Sequence, residues 1–380
     1  MRYAMCLLAC LPLVFLSCSK HPSEPTKEPT LAEELQAALD AGLNADKGKG
    51  ISAAVIFPDG SEWVGVSGIS YATTPITADM EFAAGSIGKI FTATTIMQLA
   101  EEGRISLDDS LYKWLPPLPN VDSTITIRQL LNHTSGLDDI ADTQDWWQAV
   151  FANPSRVWTP EDVVRTFNRA PLFPKGTGWN YSTTGYLLLR TIIEEITGKE
   201  ISAVNEERFW ILLGLDHSFT SMGSALPSNI AHSWYDLDGN GTYDDFSSWP
   251  RTAFVSAIGG EVWSTAEDMA KWAWALFHDK TVVSQASLDQ MLTFHSPCTG
   301  EEFVCAGYGL GVVHFNPQLF NGLYAYGHSG NAPGFAAASV YLPDYDICIG
   351  LMDNTEEGES VGASMSNILT VVTNHFEKTR

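Results

Sequence analysis

Ser86 and Lys89 stand three positions apart in AGSIGKIFTATTIMQLAEEG, residues 84–103. On a helix that spacing puts both side chains on one face. A hydroxyl beside an amine is an arrangement for an activated nucleophile. The helix is expected because Ile87, Ile90, Ala93, Met97 and Ala100 recur at helical spacing, with Gly103 as the stop. A serine in the first turn also lies at the positive end of the helix dipole, near unpaired backbone N–H groups that could hold a developing oxyanion. The chain holds two further Ser-x-x-Lys pairs. Ser17 with Lys20 closes a targeting-type segment and Ser110 with Lys113 runs into Pro116-Pro117, so Ser86 alone opens an amphipathic helix.

The elements that must position this pair come from both ends of the chain. LAEELQAALDAGL, from Leu31, is an amphipathic helix with Leu31, Leu35, Ala38, Leu39 and Leu43 as its stripe. ISAAVIFP and SEWVGVSGIS follow as two strands around an Asp59-Gly60 turn. From about residue 104 to 300 the pattern is mainly helical, clearest in TIRQLLNHTSGL, TTGYLLLRTIIEEITG and STAEDMAKWAWALF. In the last of these, Ser264 and Thr265 are alternative N-caps, with Glu267 and Asp268 placed for a capping box. After Cys305 the pattern turns to strands: YGLGVVHF, LYAYGHSG, AAASVYLP and YDICIGLMDN, then a closing helix. The prediction is an α+β domain over 31–380. Its mainly antiparallel sheet is built from both chain ends (about 31–103 and 301–380), a helical lobe is inserted at about 104–300, and the cleft between them is the site.

A formal net charge of −24 with no basic run argues against nucleic acid and against charge-driven binding to an anionic membrane surface. MRYAMCLLACLPLVFLSC has one early positive charge and an apolar run too short to span a bilayer, as in a secretory signal over 1–17. Its end, Phe15-Leu-Ser-Cys18, resembles a bacterial lipobox with Cys18 as the lipid attachment, although Phe15 departs from the usual aliphatic residue. A plain signal peptide cut nearby is the competing reading. Residues 18–30 are Pro-containing and read as a tether, which gives a membrane-anchored lipoprotein of the cell envelope, periplasmic or outer-surface. Cys298 and Cys305 bracket TGEEFV, where an oxidising compartment would permit a local disulfide, free thiols being the alternative. Cys348, within ICIGLM, reads as a small buried hydrophobe. No Cys/His spacing suggests a metal.

GSIGKIFTAT, LLNHTSGL, FPKGTGWNYSTTGYLLLRTIIEEITGK, GGEVWSTAEDMAKW, YGLGV and YGHSGNAPGF occur in one order over residues 31–376. In that order and spacing the chain resembles the serine β-lactamase-like hydrolases: class C β-lactamases, their esterase and D-aminopeptidase relatives, and D-Ala-D-Ala carboxypeptidases. The resemblance places the first motif on Ser86 and Lys89, the second on Tyr181 to Thr183 and the third on His328-Ser329-Gly330. It implies an acyl-enzyme on Ser86, with Lys89 or Tyr181 as base and the Ser86 and Asn331 N–H groups as oxyanion hole. Thr183, His328, Ser329, Gly330 and Asn331 would meet the substrate, a small molecule or peptide. The resemblance implies no cofactor, and a monomer is expected.

Two positions depart from the family pattern. Thr183 stands where the second motif usually has asparagine, and a hydroxyl cannot offer an amide's donor and acceptor together. His328 stands where β-lactamases and carboxypeptidases carry lysine, and an ordinary imidazole gains charge only as pH falls toward about 6. Both changes favour ester or small-amide hydrolysis over penicillins and D-Ala-D-Ala termini. The alternatives are a carboxypeptidase or β-lactamase, or a non-catalytic binder of peptidoglycan fragments. His133 is expected as a hydrogen-bonded turn residue, and Trp146, Trp147 and Phe151 as either cleft wall or lobe core. Asp236, Asp238, Asn240, Gly241 and Asp244 imitate a calcium loop, but Ser247 replaces its closing Glu. A hairpin turning at Asn240-Gly241 is therefore preferred.

Overall fold

The computed structural model describes residues 28–379 apart from 46–47, 222–228, 237–238, 251, 253–261, 296–297, 300–303 and 356–358. The expected signal, Cys18 and the tether up to residue 27 lie outside the described residues. Glu28, Pro29 and Thr30 are exposed and lead into the first helix.

The strands are β1 (Gly50–Ile56), β2 (Glu62–Tyr71), β3 (Thr74–Pro75), β4 (Phe82–Ala83), β5 (Phe219–Thr220), β6 (Trp234–Tyr235) and β7 (Asp244–Asp245). They continue as β8 (Val262–Ser264), β9 (Cys298–Thr299), β10 (Val304–Tyr308), β11 (Val313–Phe315), β12 (Tyr326–Ala332), β13 (Phe335–Leu342) and β14 (Ile347–Asp353). Nine of them form one antiparallel sheet in the order β3-β2-β1-β14-β13-β12-β11-β10-β9. Its centre joins the two ends of the chain, with Ile51 opposite Asp353 and Ile56 opposite Cys348.

β1 is buried along its whole length because both faces are covered. Ile51, Ala53 and Val55 enter one core while Ala54 and Ile56 enter the other, as strand alternation requires. The first core lies under α1 (Leu31–Ala45) and the C-terminal helix α11 (Glu359–Thr379). Thr30 caps α1, accepting the Glu33 N–H while Glu33 Oε2 accepts the Thr30 N–H at 2.7 Å. Gly42 lets the two helices touch, since a Cβ there would sit 2.2 Å from Ser364 Oγ.

The second core holds α2 (Gly88–Glu101) and the inserted helices, among them α3 (Ile127–Leu131), α4 (Gln144–Ala152), α5 (Pro160–Phe167) and α6 (Thr183–Thr197). Helices α7 (Ile201–Asn205), α8 (Ile211–Leu213), α9 (Ala266–Ala273) and α10 (Gln285–Met291) follow. The sequence predicts an amphipathic α2, but eleven of its fourteen residues are buried. Two of its three threonines meet this by turning hydroxyls onto the preceding turn, Thr92 to Gly88 O and Thr94 to Ile90 O. The lobe boundary differs too. α9 falls inside the span assigned to the helical lobe, yet it lies on the sheet, where a Cβ on Gly350 would be 2.0 Å from Ala266 O and Ser339 Oγ donates to Met269 O at 2.9 Å. The small residues at positions 339 and 350 admit the helix, and no periodicity within α9 announces that.

Candidate active site

Ser86 sits in the tight turn Gly85–Ile87 that feeds α2, and Lys89 is the second residue of the helix. Lys89 Nζ donates to Ser86 Oγ at 3.0 Å, and the lysine is 5 % exposed. Two glycines bring β12 against this turn. Gly85 has φ +52°, and a Cβ on it would lie 2.7 Å from Asn331 N; one on Gly330 would lie 1.9 Å from Ala84 O and 2.8 Å from Ser86 N. The backbones of Ser86 and Asn331 therefore meet in one contact, which is what an oxyanion hole made of their N–H groups needs. Along β12 the alternation leaves Ser329 half-buried and Asn331 exposed, while His328 and Gly330 are covered.

Tyr181 arrives from the corner before α6. The loop that follows α3 fixes this corner: Ser182 N–H donates to His133 Nδ1 at 3.1 Å, Ser182 Oγ donates to Asp138 O, and Thr184 Oγ1 donates to Asp138 O at 2.7 Å. Ser182 also caps α6 through the Gly185 N–H. Lys89 Nζ then lies 4.8 Å from the Tyr181 ring centroid and 5.8 Å from that of Tyr186, within cation–π range of both. His133 is the turn residue the sequence suggests, with φ +61°, but it also packs on Tyr181 at 4.4 Å between centroids. Burial, with Lys89 adding to it, holds its imidazole well below the usual histidine range, so it is neutral.

Two expected substrate contacts are placed otherwise. His328 is wholly buried. Its Nδ1 bonds Ser329 O and its Nε2 lies 3.0 Å from Tyr308 Oη. A carbonyl only accepts, so Nδ1 carries the proton and Tyr308 donates to Nε2. Burial pushes the imidazole down to about 3, with Lys89 acting in the same direction, so the protonation expected near pH 6 does not occur. Thr183 is 5 % exposed and directs its hydroxyl to Asp139 Oδ2 at 3.2 Å. Asp139, Tyr186 and Tyr308 carry no motif of their own that sequence reasoning could have singled out. Tyr308 does open the quoted YGLGV, and Asp139 follows the quoted LLNHTSGL closely.

The three aromatic residues expected as wall or core divide. Trp146 is core, Trp147 is half-buried and donates to Ala141 O at 2.7 Å, and Phe151 is exposed and packs on Trp249. β6 and β7 pair as a hairpin, but the last pair is Tyr235 opposite Asp244, so its loop is wider than an Asn-Gly turn. Asp236 closes that loop by accepting the Asn240 and Gly241 N–H groups; Asp238 lies outside the described residues. Cys298 and Cys305 are opposite each other on β9 and β10, 5.6 Å apart between Cα atoms, and form a disulfide. Cys348 is a buried thiol.

A model of the family described as Beta-lactamase matches residues 34–369. The chain belongs to the beta-lactamase family. Within it, penicillin-binding protein 4* of Bacillus subtilis (strain 168) is 29% identical over 297 residues, covering 74% of this chain and 62% of that protein. The chain thus aligns with less than two thirds of that relative's length. Among solved structures, a D-stereospecific amidohydrolase from Streptomyces sp. superposes with a TM-score of 0.75 at 28% identity, covering 88% of this chain and 98% of that one. The D-amino acid amidase from Ochrobactrum anthropi SV3 superposes with a TM-score of 0.79 at 25% identity, covering 91% and 99%. The beta-lactamase fold of this chain is that of a serine hydrolase, with penicillin-binding protein and D-amino acid amidase homologues.

Proposed function

We propose that this serine hydrolase cleaves an ester or small amide, of the esterase or D-amino-acid peptide hydrolase type, through an acyl-enzyme on Ser86. The observation that carries the reading is the 3.0 Å Lys89–Ser86 hydrogen bond beside the glycine-lined contact of Ser86 with Asn331. Ser86 Oγ attacks the carbonyl carbon, its proton passes into the Lys89–Tyr181 pair, and the oxyanion lies between the Ser86 and Asn331 N–H groups. Collapse returns a proton to the leaving alcohol or amine. Water then repeats the sequence on the acyl-Ser86 bond and frees the acid.

A penicillin or a D-Ala-D-Ala terminus fits less well. The neutral, buried His328 offers its carboxylate no cation, and the Thr183 hydroxyl is already engaged by Asp139. The same proposal attaches the enzyme to the bacterial cell envelope through lipidated Cys18, on the strength of the 1–18 sequence, and takes a monomer as its working form. The test is intact mass after a fluorophosphonate and after a penicillin, with turnover of p-nitrophenyl esters and D-amino acid amides. Labelling by the fluorophosphonate alone, with ester or amide turnover, is expected. No labelling and no turnover would leave only the non-catalytic binder.

A further inference from the structure

Between α7 and α8 the chain makes a single π turn, Glu206–Trp210, closed by the Ile211 N–H on Glu206 O. Such a turn holds one residue more than an α turn and swells the helix locally. Beside it lies a cavity of about 320 Å3, walled on the other side by Leu215, Asp216 and β5. We propose that this cavity is a binding site, separate from the Ser86 cleft, for a small organic ammonium that also carries an oxygen acceptor and an apolar group.

Each part of that ligand answers part of the wall. Trp210 lines the cavity and is 6 % exposed, yet its indole N–H has no hydrogen-bond partner in the protein. A buried N–H left without an acceptor is costly, and an oxygen brought by a ligand satisfies it. Asn205, directly before the π turn, repeats the pattern. It is 2 % exposed, its Nδ2 donates to Oγ1 of the cavity-lining Thr220 at 3.1 Å, and its Oδ1 is unpartnered. Glu206 and Asp216 stand exposed at the rim, and neither forms an ion pair among the described residues. The cations nearby in sequence are engaged elsewhere, Lys199 by Glu207 at 2.6 Å and Arg208 by Glu102 at 2.8 Å. Two unmatched carboxylates in a chain of net charge −24 favour a cationic guest. Ile211, which is 67 % exposed, Leu215 and Phe219 give that guest an apolar surface.

The volume suits one ring with a short polar chain, at the small end of ligand pockets. The Trp210 ring meets Phe91 of α2 edge-on at 4.8 Å, and Thr220 is opposite Val262, whose carbonyl accepts the Ala84 N–H at 2.8 Å. The cavity therefore backs onto the elements that carry Ser86 and shares no residue with the cleft.

The competing account is a hollow that only solvent fills. The probe is phenylalaninol, which has an ammonium, a hydroxyl oxygen and a phenyl ring but no acyl group for Ser86 to attack. It is titrated into the full chain while the twelve tryptophan indole N–H resonances are followed by NMR. Trp210→Phe keeps a ring, drops the donor and identifies the Trp210 resonance by its loss. Glu206→Gln with Asp216→Asn removes both charges at exposed positions. Phenylpropanol, which lacks the ammonium, is the neutral comparison.

Phenylalaninol should shift the Trp210 resonance saturably. Phenylpropanol with wild type, and phenylalaninol with the Glu206→Gln, Asp216→Asn protein, should each need at least about tenfold more ligand, because a charge-assisted contact is lost. A Trp210 resonance that does not move overturns the proposal. So do shifts confined to other indoles, or equal titrations by the two ligands or by the two proteins. If Trp210→Phe does not fold, calorimetry of phenylalaninol with wild type and with the doubly neutralised protein decides, and absent or equal binding overturns the site.

Discussion

Tyr308 donates to His328 Nε2 at 3.0 Å while the other ring nitrogen bonds Ser329 O, so the histidine of the third motif is a neutral link inside the sheet. Its charge cannot be what a substrate meets. Substituting lysine there would bury an ammonium against Lys89, which already disfavours charge at this position. We expect His328→Lys to lower stability by several kcal/mol and to give no gain with carboxylate-bearing β-lactams. Chemical unfolding and nitrocefin kinetics test this, and a stable variant with faster nitrocefin turnover would contradict it.

The two buried imidazoles also shape the acid side of stability. Both have folded-state values below that of an unfolded histidine, so the unfolded chain binds more protons once pH falls below about 6.5. Their contribution is present above that pH and is lost as pH falls below it, for His328 toward about 3 at up to about 1.4 kcal/mol per pH unit. His328→Gln should therefore show a shallower loss of unfolding free energy between pH 6.5 and 4 than wild type. Parallel curves would mean that this ring does not titrate on unfolding.

Ser86→Ala should reduce ester or amide turnover at least about a hundredfold with the fold intact, because the bond-forming atom is removed. Equal turnover in the variant would place the nucleophile elsewhere.

A methyl on Gly330 would lie 1.9 Å from Ala84 O, so Gly330→Ala must push β12 away from the Ser86 turn. Loss of an aligned oxyanion donor predicts a kcat lower by about a hundredfold or more with a smaller change in KM. Steady-state kinetics beside a thermal melt make the comparison, and unchanged kcat would remove the oxyanion-hole assignment.

Cys298 and Cys305 close a short loop at the edge of the sheet. Replacing both with serine should cost about 2.5 kcal/mol of unfolding free energy on the chain-entropy account. A non-reducing peptide map of protein made in an oxidising compartment should contain the linked pair. Alkylated thiols at both positions would dismiss it.

The sheet built from both chain ends could be anticipated because strand-like and helix-like periodicities change at identifiable places, and Ser86 with Lys89 stood out through spacing. What the sequence hid is tertiary. His328 shows its chemistry in one dimension, but its burial depends on Tyr308 and on a helix and a corner from elsewhere in the chain. Asp139 is one of two adjacent aspartates in a loop, and only the fold shows that it meets Thr183 while Asp138 lends its carbonyl to Ser182 and Thr184. The burial of nearly all of α2 is not legible in its spacing, because it depends on Thr92 and Thr94 turning their hydroxyls onto carbonyls of the helix itself. The hairpin at Asn240-Gly241 was readable as pairing and misread as a two-residue turn, since the Asp236 carboxylate rather than turn geometry closes it.

The pairing of β1 with β14 sets the order in which the molecule can be completed. Ile51 waits for Asp353, so a chain emerging from the ribosome carries the β1–β2 hairpin with the β1 edge open until nearly all of it has been made. Closing a loop of that length costs about 5 kcal/mol in chain entropy before the central ladder returns anything. The nascent protein is therefore exposed to aggregation for most of its synthesis and depends on whatever holds an unfinished sheet apart. Losing α11 would leave α1 and one face of that sheet uncovered, so truncation before Glu359 should yield chains that are made but never become soluble enzyme.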